Sequence, residues 1–168
     1  LLSAIISDTL LFTSPSTTNI DKDIAQILSK IAKVDIREYG YEMLKVSSSV
    51  SDLSINEQIY QDYKSYTVGK LHIGIGQLIT MDFDTIKEHI DEYIARLDEM
   101  SENNPGVHAI FITDIIRKGS YIIYDSKSED IIKDAFNIKN IKEGVFVSNI
   151  ISRKKQIIPP IMEILETR

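Results

Sequence analysis

The run VHAIFITDII, residues 107–116, constrains the fold more than any other segment. It is much shorter than the ~18 apolar residues of a membrane span. It is also too continuously apolar for a strand with one face in water. It therefore predicts a central strand covered on both faces, which requires helices above and below it.

The remaining pattern supplies those layers. KSYTVGK and LHIGIGQLIT, from Lys64 to Thr80, read as two strands, the second alternating Leu71, Ile73 and Ile75 with His72, Gly74 and Gly76. GSYIIYDS (119–126) and GVFVSNII (144–151) read as two more. Helical periodicity predicts helices over 1–12, 20–33, 35–50, 54–61, 82–103, 128–137 and 159–166. In 20–33, Ile24, Ile27, Leu28 and Ile31 form the apolar stripe, and Thr18 with Asp21 forms a start resembling a capping box. Ser54 caps the 54–61 helix, and Pro160 is acceptable in the first turn of the last one. The expectation is an α/β fold with a mixed β-sheet of about five strands flanked by helices. Breaks between domains are expected in the Ser-rich stretches 13–19 or 47–54.

Composition excludes several function classes. The 168 residues carry a net charge of −6, so no global basic field attracts nucleic acid, and any anion site is local. Cysteine is absent, which removes disulfide and thiolate chemistry and fits a reducing cytoplasm. LLSAIISDTLLF at the start has no cationic region before it, is interrupted by Asp8 and is not followed by a small-residue cleavage site. The chain opens on Leu inside an apolar pattern, which reads as a piece of a longer protein.

Charge is concentrated in SNIISRKKQIIPP, where Arg153, Lys154 and Lys155 stand between two apolar runs. These cations are expected to leave a central strand and precede a helix, the usual site of anion binding in open α/β sheets. Arg supplies a planar fork for phosphate oxygens and Lys a point charge. The alternative is a solvated basic turn. An extended backbone here would point Lys154 and Lys155 in opposite directions. Lys64 lies two residues after Asp62, so Asp62 either orients Lys64 toward a phosphate or makes a surface ion pair with it. Asp8 is either a cap or a hard-cation ligand, although one carboxylate cannot hold such an ion alone. GIGQ lacks the third Gly of a dinucleotide site; its glycines permit close backbone packing or ligand approach past Gln77. His72, His89 and His108 lack ligand spacing.

LLSAIISDTLLFTSP, the DYK of 62–64 and SRKKQIIPP together resemble the manganese-dependent, family II inorganic pyrophosphatases. Those enzymes pair a DHH domain, which bears most metal ligands, with a DHHA2 domain that closes over the substrate. The resemblance implies that residues 1–19 are a DHH remnant and linker and that 20–168 are DHHA2. It implies a metal-ligand role for Asp8 and phosphate-clasping, catalytic roles for Lys64, Arg153 and Lys154; Gln77, from the strand pattern, is a further candidate contact to the substrate. The expected substrate is pyrophosphate, hydrolysed to two phosphates, and the expected metal of the parent is manganese, with magnesium or cobalt as substitutes. No metal is expected to bind tightly to this chain alone, because the other ligands belong to the DHH domain missing in cis. The chain alone is accordingly expected to be inactive, and residues 1–12 to be a helix without its packing partners. Self-association into a homo-oligomer is open. Nucleic acid and membrane are not expected partners. Two alternatives remain: an exopolyphosphatase-type phosphoesterase sharing DHHA2, and a non-catalytic module binding phosphate or nucleotide.

Overall fold

The computed structural model describes residues 1–48, 53–139 and 144–167. The chain forms two compact units, Leu1–Ser49 and Val50–Arg168. Residues 49–52, within the second expected break, lie outside the described residues.

The first unit is helical: α1 (Leu2–Thr9), α2 (Asn19–Ala32) and α3 (Ile36–Ser47). The predicted helix over 1–12 ends at Thr9, because Leu10, Leu11 and Phe12 all adopt left-handed φ of 46–67°. Each such residue is strained by roughly 1–2 kcal/mol. Hydrogen bonds hold the turn: the Thr9 hydroxyl donates to Ile5 O and accepts from Phe12 N–H, while Leu11 N–H reaches Ile6 O. The segment does have packing partners, contrary to expectation. Leu2, Ile6 and Leu10 are buried, and at Gly40 of α3 a Cβ would lie 2.5 Å from Leu11 Cδ1 and 3.2 Å from Ile6. The capping box of α2 forms as read, Thr18 and Asp21 each bonding the other's N–H. Its apolar stripe does not turn inward. Ala25 is buried, whereas Ile24, Ile27 and Ile31 are 43–73 % exposed.

The second unit contains α4 (Ile55–Tyr60), β1 (Tyr63–Val68), β2 (Leu71–Thr80), α5 (Asp84–Lys87), α6 (Ile90–Asn103), β3 (Gly106–Asp114), β4 (Gly119–Tyr124), α7 (Glu129–Phe136), β5 (Val145–Ser148) and α8 (Ile158–Thr167). A π-helical turn, Arg153–Ile157, leads into α8. The sheet has five strands in order β1-β2-β3-β4-β5, with β2 and β3 parallel and every other pair antiparallel. The mixed five-stranded sheet is as read. The helix predicted over 82–103 is interrupted between α5 and α6, where His89 departs from helical geometry at φ −109°.

Every residue of β3 after Gly106 is buried. On one face Ile110 and Ile112 join Ile59, Leu78, Phe83 and Leu97 of the α4, α5 and α6 side. On the other, Val107, Ala109 and Phe111 meet Ile132, Ile157 and Ile161 beneath α7 and α8. Gly76 lets α4 approach the sheet backbone, since a Cβ there would stand 2.7 Å from Ile59 O. The His72 and His108 rings stack at 5.1 Å. The His108 Nε2 contact with Asn104 O is 2.7 Å, and the carbonyl can only accept, so Nε2 carries the proton.

Gly76→Ala should force α4 off the sheet and cost on the order of 1–3 kcal/mol; a urea midpoint equal to the parent's would contradict the close approach. Desolvation, and secondarily His108, hold the His72 pKa below the ordinary 6.5. Between the two values the unfolded chain binds a proton that the folded chain refuses. Stability from this group is therefore whole above pH 6.5 and declines as pH falls toward the folded value. Urea midpoints across about pH 5–7 should fall more steeply for the parent than for His72→Phe; equal slopes would rule the effect out.

Candidate functional site

Alternation along the strands sorts the candidate residues onto faces. Tyr66 and Val68 pack toward Ile157 and Ile158, so Lys64, of the same parity in β1, lies on the face that carries the cationic turn. Tyr63 and Ser65 face the other way and line a recess of about 320 Å³ that includes His72 and His108. That recess is on the opposite side of the sheet from Lys64.

The cations follow an edge strand rather than a central one, because among the described residues β5 pairs with β4 alone. Asn149, at φ 62°, ends the strand, and its N–H bonds Lys118 O at 2.8 Å. Residues 153–155 are not extended as expected. Ser152 Oγ accepts from Lys155 N–H, and Ile158 N–H closes onto Arg153 O to form the π turn. Pro159 and Pro160 have no N–H to offer the preceding carbonyls, which favours the wider turn. The side chains of Lys154 and Lys155 therefore diverge by roughly a quarter-turn instead of pointing oppositely.

Polar side chains fix the approach to this turn. Gln156 Oε1 accepts from the N–H groups of Ile151 and Ser152, both at 3.0 Å, while its Nε2 donates to Asn149 O at 2.6 Å. Gln77 Nε2 donates to Ile151 O at 2.8 Å and to Thr113 Oγ1 at 2.9 Å. Thr113 meets Ser120, whose hydroxyl donates to Ile150 O. Both donors of Gln77 are thus engaged within the fold. The side chain braces the loop bearing the cations from beneath. Neither Gln156 nor the Thr113–Ser120 pair was singled out from sequence; the signal available was a polar residue at successive strand positions where the apolar rows end.

Asp62 does not pair with Lys64. Its carboxylate accepts from Arg153 Nη2 at 2.8 Å, and its carbonyl accepts from Arg153 Nη1 at 2.5 Å. The Arg153 side chain is 12 % exposed, so this clasp sets the guanidinium against the start of β1, two residues from Lys64. Lys64 and Lys154 are exposed and have no ionic or hydrogen-bonding partner among the described residues. Among the described residues Lys64 and Lys154 add two positive charges beside the Arg153–Asp62 pair, on a chain that is acidic as a whole.

Asp8 is exposed near the C-terminal end of α1 and caps no helix. Among the described residues no group of three or more His, Cys, Asp or Glu could hold a metal ion. The described residues do not by themselves fit a divalent-metal centre; Asp8 could supply one ligand to a set completed elsewhere. No helix among them is long and apolar enough to cross a membrane.

Gln156→Leu removes two acceptor contacts and one donor contact at the neck of the turn. Amide exchange at Ile151 and Ser152 should accelerate, with stability falling by roughly 1–3 kcal/mol. Unchanged exchange at both amides would show that Gln156 does not order the neck.

The DHHA2 domain family model matches residues 41–164. A Clostridium acetobutylicum protein described as a probable manganese-dependent inorganic pyrophosphatase is 39% identical over 165 residues, covering 98% of this chain and 53% of its own length. The manganese-dependent inorganic pyrophosphatase of Methanocaldococcus jannaschii is 39% identical over 163 residues, with coverage of 96% and 53%. A crystal structure of a Methanococcus jannaschii protein assigned to the family II inorganic pyrophosphatases superposes with a TM-score of 0.87 at 36% identity, covering 98% of this chain and 54% of that one. The chain spans about half the length of the curated relatives it matches. With the family match running from within α3 to the last helix, and the five-stranded sheet matched along with it, the chain belongs to the DHHA2 domain family.

Proposed function

We propose that this chain is the substrate-clasping part of a manganese-dependent inorganic pyrophosphatase, a protein that hydrolyses pyrophosphate with one water to two orthophosphates. The observation that carries the reading is the clasp of Arg153 by Asp62, which sets the guanidinium at the start of β1, two residues from Lys64, with Lys154 next along the turn; among the described residues neither lysine side chain has a partner. The names of the relatives support the substrate class.

In this reading Arg153 presents its guanidinium edge to phosphate oxygens, with Asp62 limiting its rotation. Lys64 and Lys154 add positive charge where negative charge builds on the leaving phosphate. Gln77 acts one step back, by holding Ile151 and thus the turn. Asp8 serves as one manganese ligand, and the remaining ligands come from a DHH domain in cis. The chain alone is then a binder without hydrolytic activity, because one carboxylate cannot assemble a metal centre. The setting is the cytoplasm.

Calorimetric titration of the chain with pyrophosphate at low ionic strength tests the binding role. Weak association that declines as salt rises is expected. Lys64→Ala, Arg153→Ala and Lys154→Ala should each weaken it by about fivefold, as for ~1 kcal/mol of an exposed cation–anion contact. Lys127→Ala, remote in sequence and exposed, should leave it unchanged. Equal losses at Lys127 would mean diffuse attraction and would remove the site. Phosphate release by the purified chain in manganese, abolished by Arg153→Ala, would overturn the expected inactivity.

A further inference from the structure

On the sheet face beneath α6, the first rows of β2 and β3 carry Gly74 and Gly106 where later rows carry Leu78, Ile110 and Ile112. Ser65, Gly74 and His108 form one row across β1, β2 and β3. With no side chain at Gly74 the row is hollow at its centre. The Tyr63 hydroxyl and His108 Nδ1 lean into that space: a Cβ on Gly74 would collide with the first and stand 3.0 Å from the second. The recess of about 320 Å³ lies here, with Tyr60 and Met100 among its walls.

His108 is 2 % exposed, and its Nε2–H is committed to Asn104 O. Its Nδ1 is then a bare lone pair, shielded from solvent and without a hydrogen-bonding partner among the described residues. His72 stacks on it and has its own Nδ1 in the same condition. Buried polar atoms are nearly always paired, so two orphans lining one recess call for a partner brought from outside.

The lining selects the chemistry of that partner. Rings stacked 28° from parallel direct their in-plane lone pairs side by side rather than at one ion, and the described residues supply no third metal ligand. Arg96, at the recess, is balanced by Glu99 at 2.6 Å, and no carboxylate is among the lining residues. A neutral guest is therefore favoured over an anion or a cation. The lone pair of His108 requires an N–H donor. Beside it the Tyr63 hydroxyl, its pKa pushed up to about 12 mainly by burial, stays protonated and offers a hydrogen to an acceptor. The Tyr60 and Tyr63 rings, 4.9 Å apart, and Met100 give a flat molecule polarisable walls. The volume stands at the low end of ligand sites, which admits one heterocycle and not a large cofactor.

We propose that the recess over Gly74 binds a small neutral amino-substituted N-heterocycle, the chemistry of an adenine or cytosine base, with His108 Nδ1 accepting the amino N–H and the Tyr63 hydroxyl donating to the adjacent ring nitrogen. The inference is independent of the phosphate-binding role, since Lys64 lies on the opposite side of the sheet.

Nitrogen-15 spectra of the histidine rings of the 168-residue chain, at about pH 8 and so above the ordinary histidine range, read the site directly. His108 should show a protonated Nε2 and a bare Nδ1, and titration with 9-methyladenine should move the Nδ1 resonance to saturation. 9-Methylpurine, which has the ring but no amino group, should bind about fivefold more weakly and leave Nδ1 in place. Tyr63→Phe keeps the ring and should weaken 9-methyladenine by about fivefold, with the parent's thermal midpoint. Pyrophosphate should leave the His108 signals unmoved. No saturable shift with 9-methyladenine, equal affinity for the two probes, or full affinity in Tyr63→Phe would each overturn the proposal. A His108 Nδ1 shift produced by pyrophosphate would join the recess to anion binding and would overturn it as well.

Discussion

The parallel pairing of β2 with β3, in register from His72–Gly106 to Thr80–Asp114, is the constraint around which the second unit is arranged. A hairpin cannot join parallel neighbours, so the chain must cross over the sheet, and α5 and α6 make that crossing. Their apolar sides bury one face; the other would be left in water without α7 and α8. The apolar continuity of β3 follows, because each of its side chains meets a helical layer. The carboxyl ends of β2 and β3 emerge together. There Gln77 and Thr113 replace the apolar rows, and the loop before the cations is bonded to them.

That arrangement separates two jobs that are easily confused. Burial of Ile157, Ile158 and Ile161 anchors the turn and α8 to the sheet. Hydrogen bonds from Gln77, Ser120 and Gln156 set its backbone path. The charges are therefore carried on a backbone already ordered by groups other than themselves, and Lys154 need not make a structural contact. Asp62 ties the turn to β1 over 91 residues of sequence. It neutralises one cation while leaving an excess of positive charge beside it.

The layers and strands were readable because each rests on local signals: period two in β2, continuous burial in β3, and Ser or Thr followed by an acidic residue at helix starts. What was not readable depends on contacts distant in sequence or on conformations that side-chain type disguises. Leu10–Phe12 look helical by hydrophobicity, yet their left-handed φ values depend on bonds from Thr9 and on the space left by Gly40. Asp62 and Lys64 are neighbours in sequence, but the carboxylate finds Arg153. The extended reading of 153–155 neglected the missing amide hydrogens of Pro159 and Pro160. The isoleucine stripe of α2 was legible as a stripe, but its exposure was not, since periodicity identifies a face without saying what covers it.

The order of strands across the sheet is also their order along the chain. Three of the four pairings are antiparallel between consecutive strands, and two of those join across short connections, at Gly69–Lys70 and at 115–118. Such hairpins close on a microsecond scale of about 1–10 μs. Joining β2 to β3 requires closing a loop that contains both crossover helices, and β4 to β5 one that contains α7. The loop-closure entropy of the first is repaid only when the whole parallel register forms. The topology therefore predisposes this unit to fold from two early ribbons, β1–β2 and β3–β4, whose side-by-side docking is the slow step.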